Sequence, residues 1–390
     1  MICRGCHQET GDEVLVDLGM QPLANSLVLY ATDVLGTDQD GFRLEHRYPL
    51  APVICKNKMC RLIQLPELPS GITPFTEDYP YRSGQSATWK LHLQDLVDEV
   101  HPTGVTVEIG GNDGSLGELL PGYYCNIDPT QPASAWENGA TISEFMTRPR
   151  GEVLGPCADW VVALNVMAHV PDLDDFFAGI YAVLKPTGIL TVEVQDVNQL
   201  IERGEWDCIY HEHYSYFNKQ TLADAIERRG FYVEKYEDIP THGGSIRLTA
   251  RKIEQRLLDH PLHRQPLRPP KPYPKWPPTD GLSTQAGMCL QWADEGRRVV
   301  GYGAPAKAMT WLNSFRRPVP LEYICDSTPE KIGKFTPASH IEIKSPDVLD
   351  TDTPDIIVVL AWNWLSEIRP KLQAHVDRGV EIWCRGERVA

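Results

Sequence analysis

The sequence predicts an α/β protein of three globular blocks, in which a small cysteine-containing block precedes two blocks that alternate strands and helices. Three observations support this prediction. Two pairs of cysteines lie within the first 60 residues. A strand-like run with a glycine-rich turn, VTVEIGGNDGSLGELL, spans Val105 to Leu120, and a second glycine turn, GYGAPA, spans Gly301 to Ala306. At 390 residues the chain also exceeds the size at which one hydrophobic core usually keeps growing.

Composition and charge narrow the class of protein. Hydrophobic residues make up 42% of the chain and charged residues 23%, as in ordinary globular proteins. The formal net charge of -16 disfavours general binding to nucleic acid or to an anionic membrane. No apolar run approaches the roughly 20 residues that span a bilayer, and the start of the chain lacks the features of a signal peptide. We therefore expect a cytoplasmic protein, and we expect a monomer or a weak homo-oligomer.

The first block, residues 1–72, is predicted to be a zinc-binding domain. Cys3 and Cys6 have the Cys-x2-Cys spacing of a zinc knuckle, and a second pair, Cys55 and Cys60, has a wider spacing. Four thiolates complete a tetrahedral Zn2+ shell and leave no open position for chemistry, so the predicted role is structural. Ten cysteines in the whole chain are too few for a disulfide scaffold. The alternative is a set of four unligated thiols.

The second block, residues 73–258, is predicted to be a doubly wound domain with a parallel sheet that binds S-adenosylmethionine. Glycines after the strand Val105–Ile109 let a ligand approach the backbone at the carboxyl edge of the sheet, and a helix is predicted to follow them in SLGELL (115–120). The next strand, Tyr123–Ile127, is followed by an aspartate that can hold ribose hydroxyls, and further strand edges follow at 140–145 and 159–166. The candidate cofactor-binding residues are Glu108, Gly110, Asn112, Asp128, Glu144, Phe145 and Asn165. The alternative is a turn whose glycines only bend the chain.

The segment richest in reactive side chains is CIYHEHYSYF, Cys208 to Phe217. It follows a predicted helix, Asp172–Leu184, and a predicted strand, Gly188–Val194. It combines tyrosines, a glutamate and two histidines, which suits proton transfer beside a ring-shaped substrate. On an ideal strand Tyr210 and Glu212 would point away from His211 and His213, so both sets can serve one pocket only if the segment turns. The two histidines could alternatively bind a metal, and the aromatic residues that follow could belong to the core.

A proline-rich linker, residues 259–280, is predicted to separate the second block from the third, residues 281–390. An alternative role for the linker is to recruit a partner that reads polyproline. The third block again alternates strands and helices, so it is predicted to be Rossmann-like.

The glycine turn of the third block suggests an alternative function. The pattern Gly301-Tyr302-Gly303-x-x-Ala306, with Asp326 about twenty residues later, nearly matches a dinucleotide fingerprint. A nicotinamide-dependent sugar-nucleotide oxidoreductase is therefore the alternative enzyme. Pro305 and Lys307 argue against it, because they lie where a tight helix start would meet the pyrophosphate.

Taken together, the motifs resemble those of the three-domain sugar C-methyltransferases, which act on nucleotide-linked ketosugars in deoxysugar pathways. The resemblance covers nearly the whole chain and includes the paired cysteines. The other matching segments are LGMQPLANSL (18–27), YPYRSG (79–84), VEIGGNDGSL (107–116), NVMAHVPDL (165–173), IYHEHYSYF (209–217), THGGSIRL (241–248), GYGAPAKA (301–308) and CDSTPEKIGKFTPASHIEI (325–343). The resemblance implies a zinc-binding domain, an S-adenosylmethionine-binding domain and a Rossmann-like domain that is not known to need a nicotinamide cofactor. The chain departs from the family in its wider second cysteine pair and in its proline-rich linker.

The resemblance also implies residue roles for methylation through an enolate, which a base forms beside the ketone of the sugar. His213 matches the base and Tyr210 matches the residue that orients the sugar. Glu212 would fix the imidazole tautomer, and His169 would face the same cleft or would simply cap a turn. The substrate-binding candidates are Tyr79, Tyr81, Ser83, His242, Gly243 and Lys307. A non-catalytic sugar-nucleotide binding protein is the alternative from a different class.

The segment around His242 can be interpreted in two ways from its residues. With Gly243 and Gly244 it forms either a bent strand or a loop whose backbone amides reach a phosphate or a sugar hydroxyl. The second interpretation agrees with a substrate-binding role.

Overall fold

A computed structural model describes residues 1–29, 45–69, 75, 84, 86–253, 270–277 and 280–390. These residues form two compact units, each assembled from separate segments of the chain. The first unit contains residues 1–15, 52–197 and 213–272, and the second contains residues 16–51, 198–212 and 273–390. Tyr79, Tyr81, Ser83 and most of the predicted linker lie outside the described residues. No helix within the described ranges is long and apolar enough to cross a membrane.

The first unit is built on an eight-stranded mixed sheet. In spatial order its strands are Phe231–Ile239, Ser245–Lys252, Leu184–Gln195, Ala158–Leu164, Val105–Ile109, Tyr123–Ile127, Gly139–Ile142 and Ser134–Trp136. The five strands from Leu184–Gln195 to Gly139–Ile142 are parallel, as predicted. The edges differ from the predicted parallel sheet, because the outer strands pair antiparallel. Short connections such as residues 240–244 cannot make the crossover that a parallel pair needs.

Burial explains why the central strands form. Three consecutive residues, Val161, Val162 and Ala163, are fully buried, as expected of a strand with both faces covered. The helices of this unit are Ala87–Val100, Arg148–Leu154, Leu173–Val183 and Lys219–Glu227. The predicted helix at 172–184 begins where the Asp172 side chain accepts hydrogen bonds from the amides of Asp174 and Asp175. After the glycine turn, only a short 3-10 helix, Gly117–Leu119, forms where a longer helix is predicted.

The cysteine-containing segment contributes to a second, three-stranded sheet in the first unit. Strand Ile63–Gln64 pairs antiparallel with Val53–Ile54 on one side and with Ser215–Tyr216 on the other. The last strand belongs to the predicted catalytic segment. The cysteines and the end of that segment, from His213 onward, are therefore parts of one unit, although about 150 residues separate them in sequence.

The second unit contains the predicted Rossmann-like sheet. Its strands, in spatial order, are Ile343–Lys344, Ile324–Cys325, Val299–Tyr302, Ile356–Val359, Glu381–Cys384 and Glu387–Arg388. The first five are parallel and the last is antiparallel. A separate strand pair joins Met20–Gln21 to Tyr48–Pro49. The helices are Gly281–Asp294, Ala306–Asn313, Val348–Thr351, Leu365–Lys371 and Gln373–Val376, together with Val197–Glu202, whose first residue belongs to the first unit.

Residues 198–212 leave the first unit and are fixed within the second by side-chain hydrogen bonds. Arg385 Nη1 donates to Glu205 Oε1 at 3.0 Å, and Trp362 Nε1 donates to Asp207 Oδ2 at 2.8 Å. Thr310 Oγ1 donates to the carbonyl of Ile209 at 3.0 Å. The spatial units are thus not contiguous in sequence, and the predicted boundaries at residues 72, 258 and 281 stay a prediction.

Candidate active site

The glycine-rich turn brings three strand ends of the first unit together. Gly110 adopts a left-handed φ of 65°, and its amide donates to the carbonyl of Ile127 at 2.8 Å. A side chain cannot be added here, because a Cβ on Gly110 would lie 2.5 Å from Val166 Cγ2. The turn therefore lies directly beside the chain that leaves the Ala158–Leu164 strand.

Asp128 holds the backbone of the same turn. Its Oδ2 accepts from the amide of Asn112 at 2.8 Å, and its Oδ1 accepts from the amide and hydroxyl of Thr130 at 2.7 and 2.6 Å. A carboxylate has about four acceptor positions, so these three donors leave about one for a ligand hydroxyl. Asp128 is thus available for the predicted ribose contact and also shapes the turn that receives the ligand.

Glu108 is a buried carboxyl group behind the glycine turn. The hydroxyl of Tyr124 donates to its Oε2, and a Cβ on Gly111 would collide with that same oxygen. Burial raises the pKa of Glu108 to about 7; the charges of Asp128 and Asp113 add to the rise, and the Tyr124 hydrogen bond opposes it. Near neutral pH this edge therefore contains a carboxyl group that is close to half ionised.

The remaining predicted cofactor residues follow neighbouring strand ends. Asn165 comes directly after Ala158–Leu164, has a left-handed φ of 57°, and donates its amide to the carbonyl of Glu193 at 2.8 Å. Glu144 and Phe145 follow Gly139–Ile142 and are exposed, with the Glu144 carboxylate paired to Arg150. Because parallel strands end at the same edge, all seven predicted cofactor residues lie at the carboxyl edge of this sheet or just beyond it.

Two predicted catalytic histidines come together in the first unit. The ring centroids of His169 and His213 are 4.6 Å apart with an interplanar angle of 59°. His169 ends a 3-10 helix, Met167–His169, and donates its amide to the carbonyl of Val166 at 2.8 Å. Since Val166 touches the glycine turn, four residues of chain connect the predicted donor site to the histidine pair. Both imidazoles are only partly buried.

Tyr210, His211 and Glu212 belong to the second unit, and the chain turns at His211 and Glu212. Glu212 is buried and accepts from Asn25 Nδ2 at 2.9 and 2.8 Å. His211 is buried against the Tyr48 ring, and burial lowers its pKa. Tyr210 packs against the core of the second unit.

Gly243 and Lys307 are the two other substrate candidates whose positions the structure describes in full. Gly243 ends a 3-10 helix, Thr241–Gly243, with a φ of 84°; the side chain of His242 lies outside the described residues. Lys307 is buried, and its Nζ lies 3.4 Å from the centroid of the Trp362 ring. Among the described residues Nζ has no hydrogen-bond partner, and burial lowers the pKa of Lys307.

The dinucleotide-like turn of the second unit uses its key groups internally. Asp326 Oδ2 accepts from the amide of Ala304 at 2.7 Å, and Asp326 Oδ1 accepts from the amide of Thr328 at 2.8 Å. A Cβ on Gly303 would lie 2.5 Å from the Cβ of Ala361, so this glycine permits close packing of the chain itself.

The four predicted metal ligands converge despite the wider spacing of the second pair. The Sγ atoms of Cys3 and Cys60 are 3.7 Å apart, and those of Cys6 and Cys55 are 3.6 Å apart. All four sulfur atoms lie within 4.8 Å of one another. Hydrogen bonds from Cys55 and Cys60 lower the pKa of the Cys3 thiol. In the described part of the chain, no other group of three or more histidine, cysteine or acidic residues is arranged to hold a metal.

Sequence reasoning missed several residues that shape the site. Tyr124 donates a hydrogen bond to Glu108, and Thr130 donates one to Asp128. Arg4 donates to the carbonyls of Pro171 and Tyr214, close to the histidine pair. The Asp-x-Thr spacing of residues 128–130 is a signal for a local side-chain turn. No spacing in the sequence indicates these two contacts of Arg4, since Pro171 and Tyr214 are more than 160 residues away from it.

Comparison with known proteins agrees with this arrangement. Residues 81–236 match a family described as a methyltransferase domain, and residues 284–384 match a C-methyltransferase C-terminal domain. The chain is 28% identical to the C-methyltransferase NovU of Streptomyces niveus over 97% of its own length and 93% of that protein. The predicted resemblance to C-methyltransferases is confirmed.

Two solved structures illustrate the more distant matches. A 1,6-didemethyltoxoflavin-N1-methyltransferase from Burkholderia thailandensis, with S-adenosylhomocysteine bound, has a TM-score of 0.36 and 16% identity, covering 52% of this chain and 99% of the other. A putative S-adenosylmethionine-dependent methyltransferase from Listeria monocytogenes has a TM-score of 0.34 and 11% identity, covering 43% of this chain and 100% of the other.

Replacing Asp128 with asparagine is expected to weaken the binding of S-adenosylmethionine by about 1–3 kcal/mol, because the amide cannot accept hydrogen bonds at both of its terminal atoms. Isothermal titration calorimetry measures this change. Asp159→Asn is the matched control, since Asp159 accepts from the amide of Val105 at the opposite end of the same strands. Unchanged affinity of the Asp128 variant would remove this residue from the site.

The raised pKa of Glu108 predicts a pH effect on stability. Between about pH 5 and about pH 7 the folded carboxyl group keeps a proton that the unfolded chain has lost. The free energy of unfolding without ligand should therefore fall as pH rises through this range, by at most about 3 kcal/mol. Glu108→Gln should remove this dependence of the unfolding free energy on pH. Tyr124→Phe should extend the dependence to higher pH, because the Tyr124 hydrogen bond lowers the pKa of Glu108. Denaturation at several pH values measures it, and an unaltered profile in Glu108→Gln contradicts the assignment.

Proposed function

We propose that this chain, an S-adenosylmethionine-dependent C-methyltransferase, methylates a carbon next to the ketone of a nucleotide-diphosphate-linked sugar. The observation that carries the proposal is the His169–His213 pair, which adjoins the glycine turn through Val166. A proton acceptor close to a methyl donor is the arrangement that C-methylation of an acidic carbon needs. The sugar-nucleotide class rests on the motifs that the chain shares with sugar C-methyltransferases.

His213 is assigned as the general base. Its imidazole takes the proton from the carbon beside the ketone, so that the C–H electron pair becomes the enolate. The enolate carbon then bonds to the methyl group. Bound S-adenosylmethionine supplies that methyl group on a sulfonium sulfur, and S-adenosylhomocysteine is the product. The role of the protein is to hold donor and acceptor in line and to place the base within reach of the proton.

The closeness of the second imidazole supports this assignment. The ring of His169 lies beside that of His213, with centroids 4.6 Å apart, so a second imidazole is within reach of the same proton. Both rings are only partly buried, so a substrate can reach them.

The other roles keep the assignments that the resemblance implies. Tyr210 is proposed to orient the sugar, and Glu212, which Asn25 holds in place, is proposed to assist the base. The proposed substrate-binding residues are Tyr79, Tyr81, Ser83, His242, Gly243 and Lys307.

The four cysteines are proposed to bind one structural zinc ion. Zn–S bonds of about 2.3 Å in a tetrahedron place neighbouring sulfurs about 3.8 Å apart, close to the 3.6 and 3.7 Å observed. Four thiolates would fill the shell of the ion, so it would take no part in methyl transfer. Its expected role is to stabilise the strands that the cysteine segment contributes.

Elemental analysis is expected to find one zinc ion per chain. Cys55→Ser combined with Cys60→Ser should abolish zinc binding and lower the melting temperature, because two ligands are lost. Cys157→Ser is the matched control, since Cys157 is a partly buried thiol outside the cluster. Zinc that persists in the double variant would show that the ion binds elsewhere.

His213→Asn is expected to slow proton removal by about 100-fold or more while leaving donor affinity nearly unchanged. The measurement is exchange of the proton beside the ketone with deuterated water, without a methyl donor, on a panel of nucleotide-diphosphate-linked ketohexoses. His211→Asn is the control at a histidine two residues away. Native exchange in the His213 variant would place the base elsewhere, with His169 the next candidate.

The same panel tests the alternatives. A non-catalytic binding protein would retain a sugar nucleotide but would neither exchange its proton nor consume S-adenosylmethionine. A nicotinamide-dependent enzyme would bind NAD tightly, and Gly303→Val should then abolish that binding. Pro305 and Lys307, at the start of the helix that follows the turn, make this outcome the less expected one.

A further inference from the structure

We infer that Arg4 is a positioning residue for the His169–His213 pair. This inference rests on the proposed function, because it assigns importance to the exact separation of those two imidazoles. Arg4 lies between the first two cysteines of the predicted metal site. It is far from both histidines in sequence and touches the backbone beside each of them.

The hydrogen bonds of Arg4 show how one side chain reaches both places. Its Nε donates to the carbonyl of Pro171 at 3.1 Å. Its Nη1 donates to the carbonyl of Tyr214 at 3.1 Å and to that of Leu65 at 2.7 Å. The guanidinium carbon also lies 5.3 Å from the centroid of the Tyr214 ring. Only 5% of the side chain is exposed, so these bonds form away from competing water.

The bonded carbonyls adjoin the two catalytic candidates. Pro171 lies two residues after His169, and Tyr214 directly follows His213. The guanidinium group is planar and rigid, so the directions of its N–H bonds are fixed relative to one another. The two chain segments are therefore held in a fixed relation by a single group, and the distance between their histidines is constrained with them.

Neither histidine lies inside an extended helix or strand that could hold it alone. His169 ends a three-residue 3-10 helix, and His213 lies between a turn and the two-residue strand Ser215–Tyr216. That strand pairs with Ile63–Gln64, and Gln64 Oε1 accepts from the amide of Arg4 at 3.0 Å. Short elements of this kind need tertiary contacts to stay ordered. The backbone and the side chain of Arg4 both provide such contacts here.

Arg229 separates positioning from simple stabilisation. It too is a buried arginine, with 6% of its side chain exposed, and it forms an ion pair with Asp174 at 2.8 Å. It donates to the carbonyls of Ala225 and Arg4, each at 2.8 Å. Among the described contacts it has none with the carbonyls next to the histidines, so its loss should lower stability without separating the imidazoles.

The test compares full-length Arg4→Lys, Arg4→Met and Arg229→Met with the parent protein. Arg4→Lys retains the positive charge but cannot donate along three fixed directions. We therefore expect this variant to fold but to hold the two histidine segments in altered positions. The exchange that Arg4→Lys catalyses between the proton beside the ketone and deuterated water should slow by roughly 10- to 100-fold on the ketohexose panel. Displacing a catalytic group by about 1 Å has effects of this size. The Michaelis constant in exchange and the dissociation constant of S-adenosylmethionine should stay within about twofold. Arg229→Met should melt earlier and keep native exchange.

A substrate-free measurement makes the inference independent of the chemistry. The imidazole 15N resonances of His169 and His213, assigned with single histidine variants, should shift in Arg4→Lys and stay in place in Arg229→Met. Unchanged resonances with native exchange in Arg4→Lys would overturn the inference. Equal slowing in the Arg4 and Arg229 variants would overturn it as well, since the effect would then follow stability. Native exchange in His213→Asn would instead reject the proposed base, while the resonances would still report on Arg4.

Discussion

The antiparallel pairing of Ser215–Tyr216 with Ile63–Gln64 is the contact on which the candidate site depends. It joins the segment that follows His213 to the strand that follows Cys60, so the fold of the cysteine segment determines where the histidine lies. On its other side, Phe217 forms a bridge to Asp196 at the end of a central strand. The described strands in this region are two residues long and form few backbone hydrogen bonds, which is why buried side chains such as Arg4 are proposed to contribute to their placement.

Charge at the carboxyl edge of the large sheet suits a cationic ligand. Glu108 and Asp128 are buried there, and Asp113 contributes further negative charge. Backbone amides and the Thr130 hydroxyl donate to the Asp128 carboxylate, whereas burial raises the pKa of Glu108. A sulfonium bound at this edge would favour the ionised form of Glu108. The same carboxyl group that destabilises the empty protein would then contribute to donor affinity.

How much the sequence could predict depended on how local each feature is. Strands Val105–Ile109 and Tyr123–Ile127 were predicted to the residue, because each is an uninterrupted run with a turn or acidic residue after it. After the glycine turn a helix was predicted, but only one turn of 3-10 helix forms among the described residues. Gly117 packs so closely on Tyr124 that a Cβ would lie 2.5 Å from the ring, and glycine is a weak helix former. The approach of His169 to His213, which are 44 positions apart, depends on tertiary folding that no periodicity records.

The two glycine turns of the chain show why a fingerprint needs its surroundings. Both follow a parallel strand, and both have an aspartate at the end of a neighbouring strand. Asp128 accepts from two amides and a hydroxyl, whereas Asp326 accepts two amide hydrogen bonds and lies 3.6 Å from Lys331 Nζ. The Lys331 ammonium also donates to the carbonyl of Ala304, so one lysine links the second glycine turn to its aspartate. A cation therefore lies beside the aspartate of the second turn, whereas the donors to that of the first are amides and a hydroxyl, and the spacing of the two fingerprints does not record this difference.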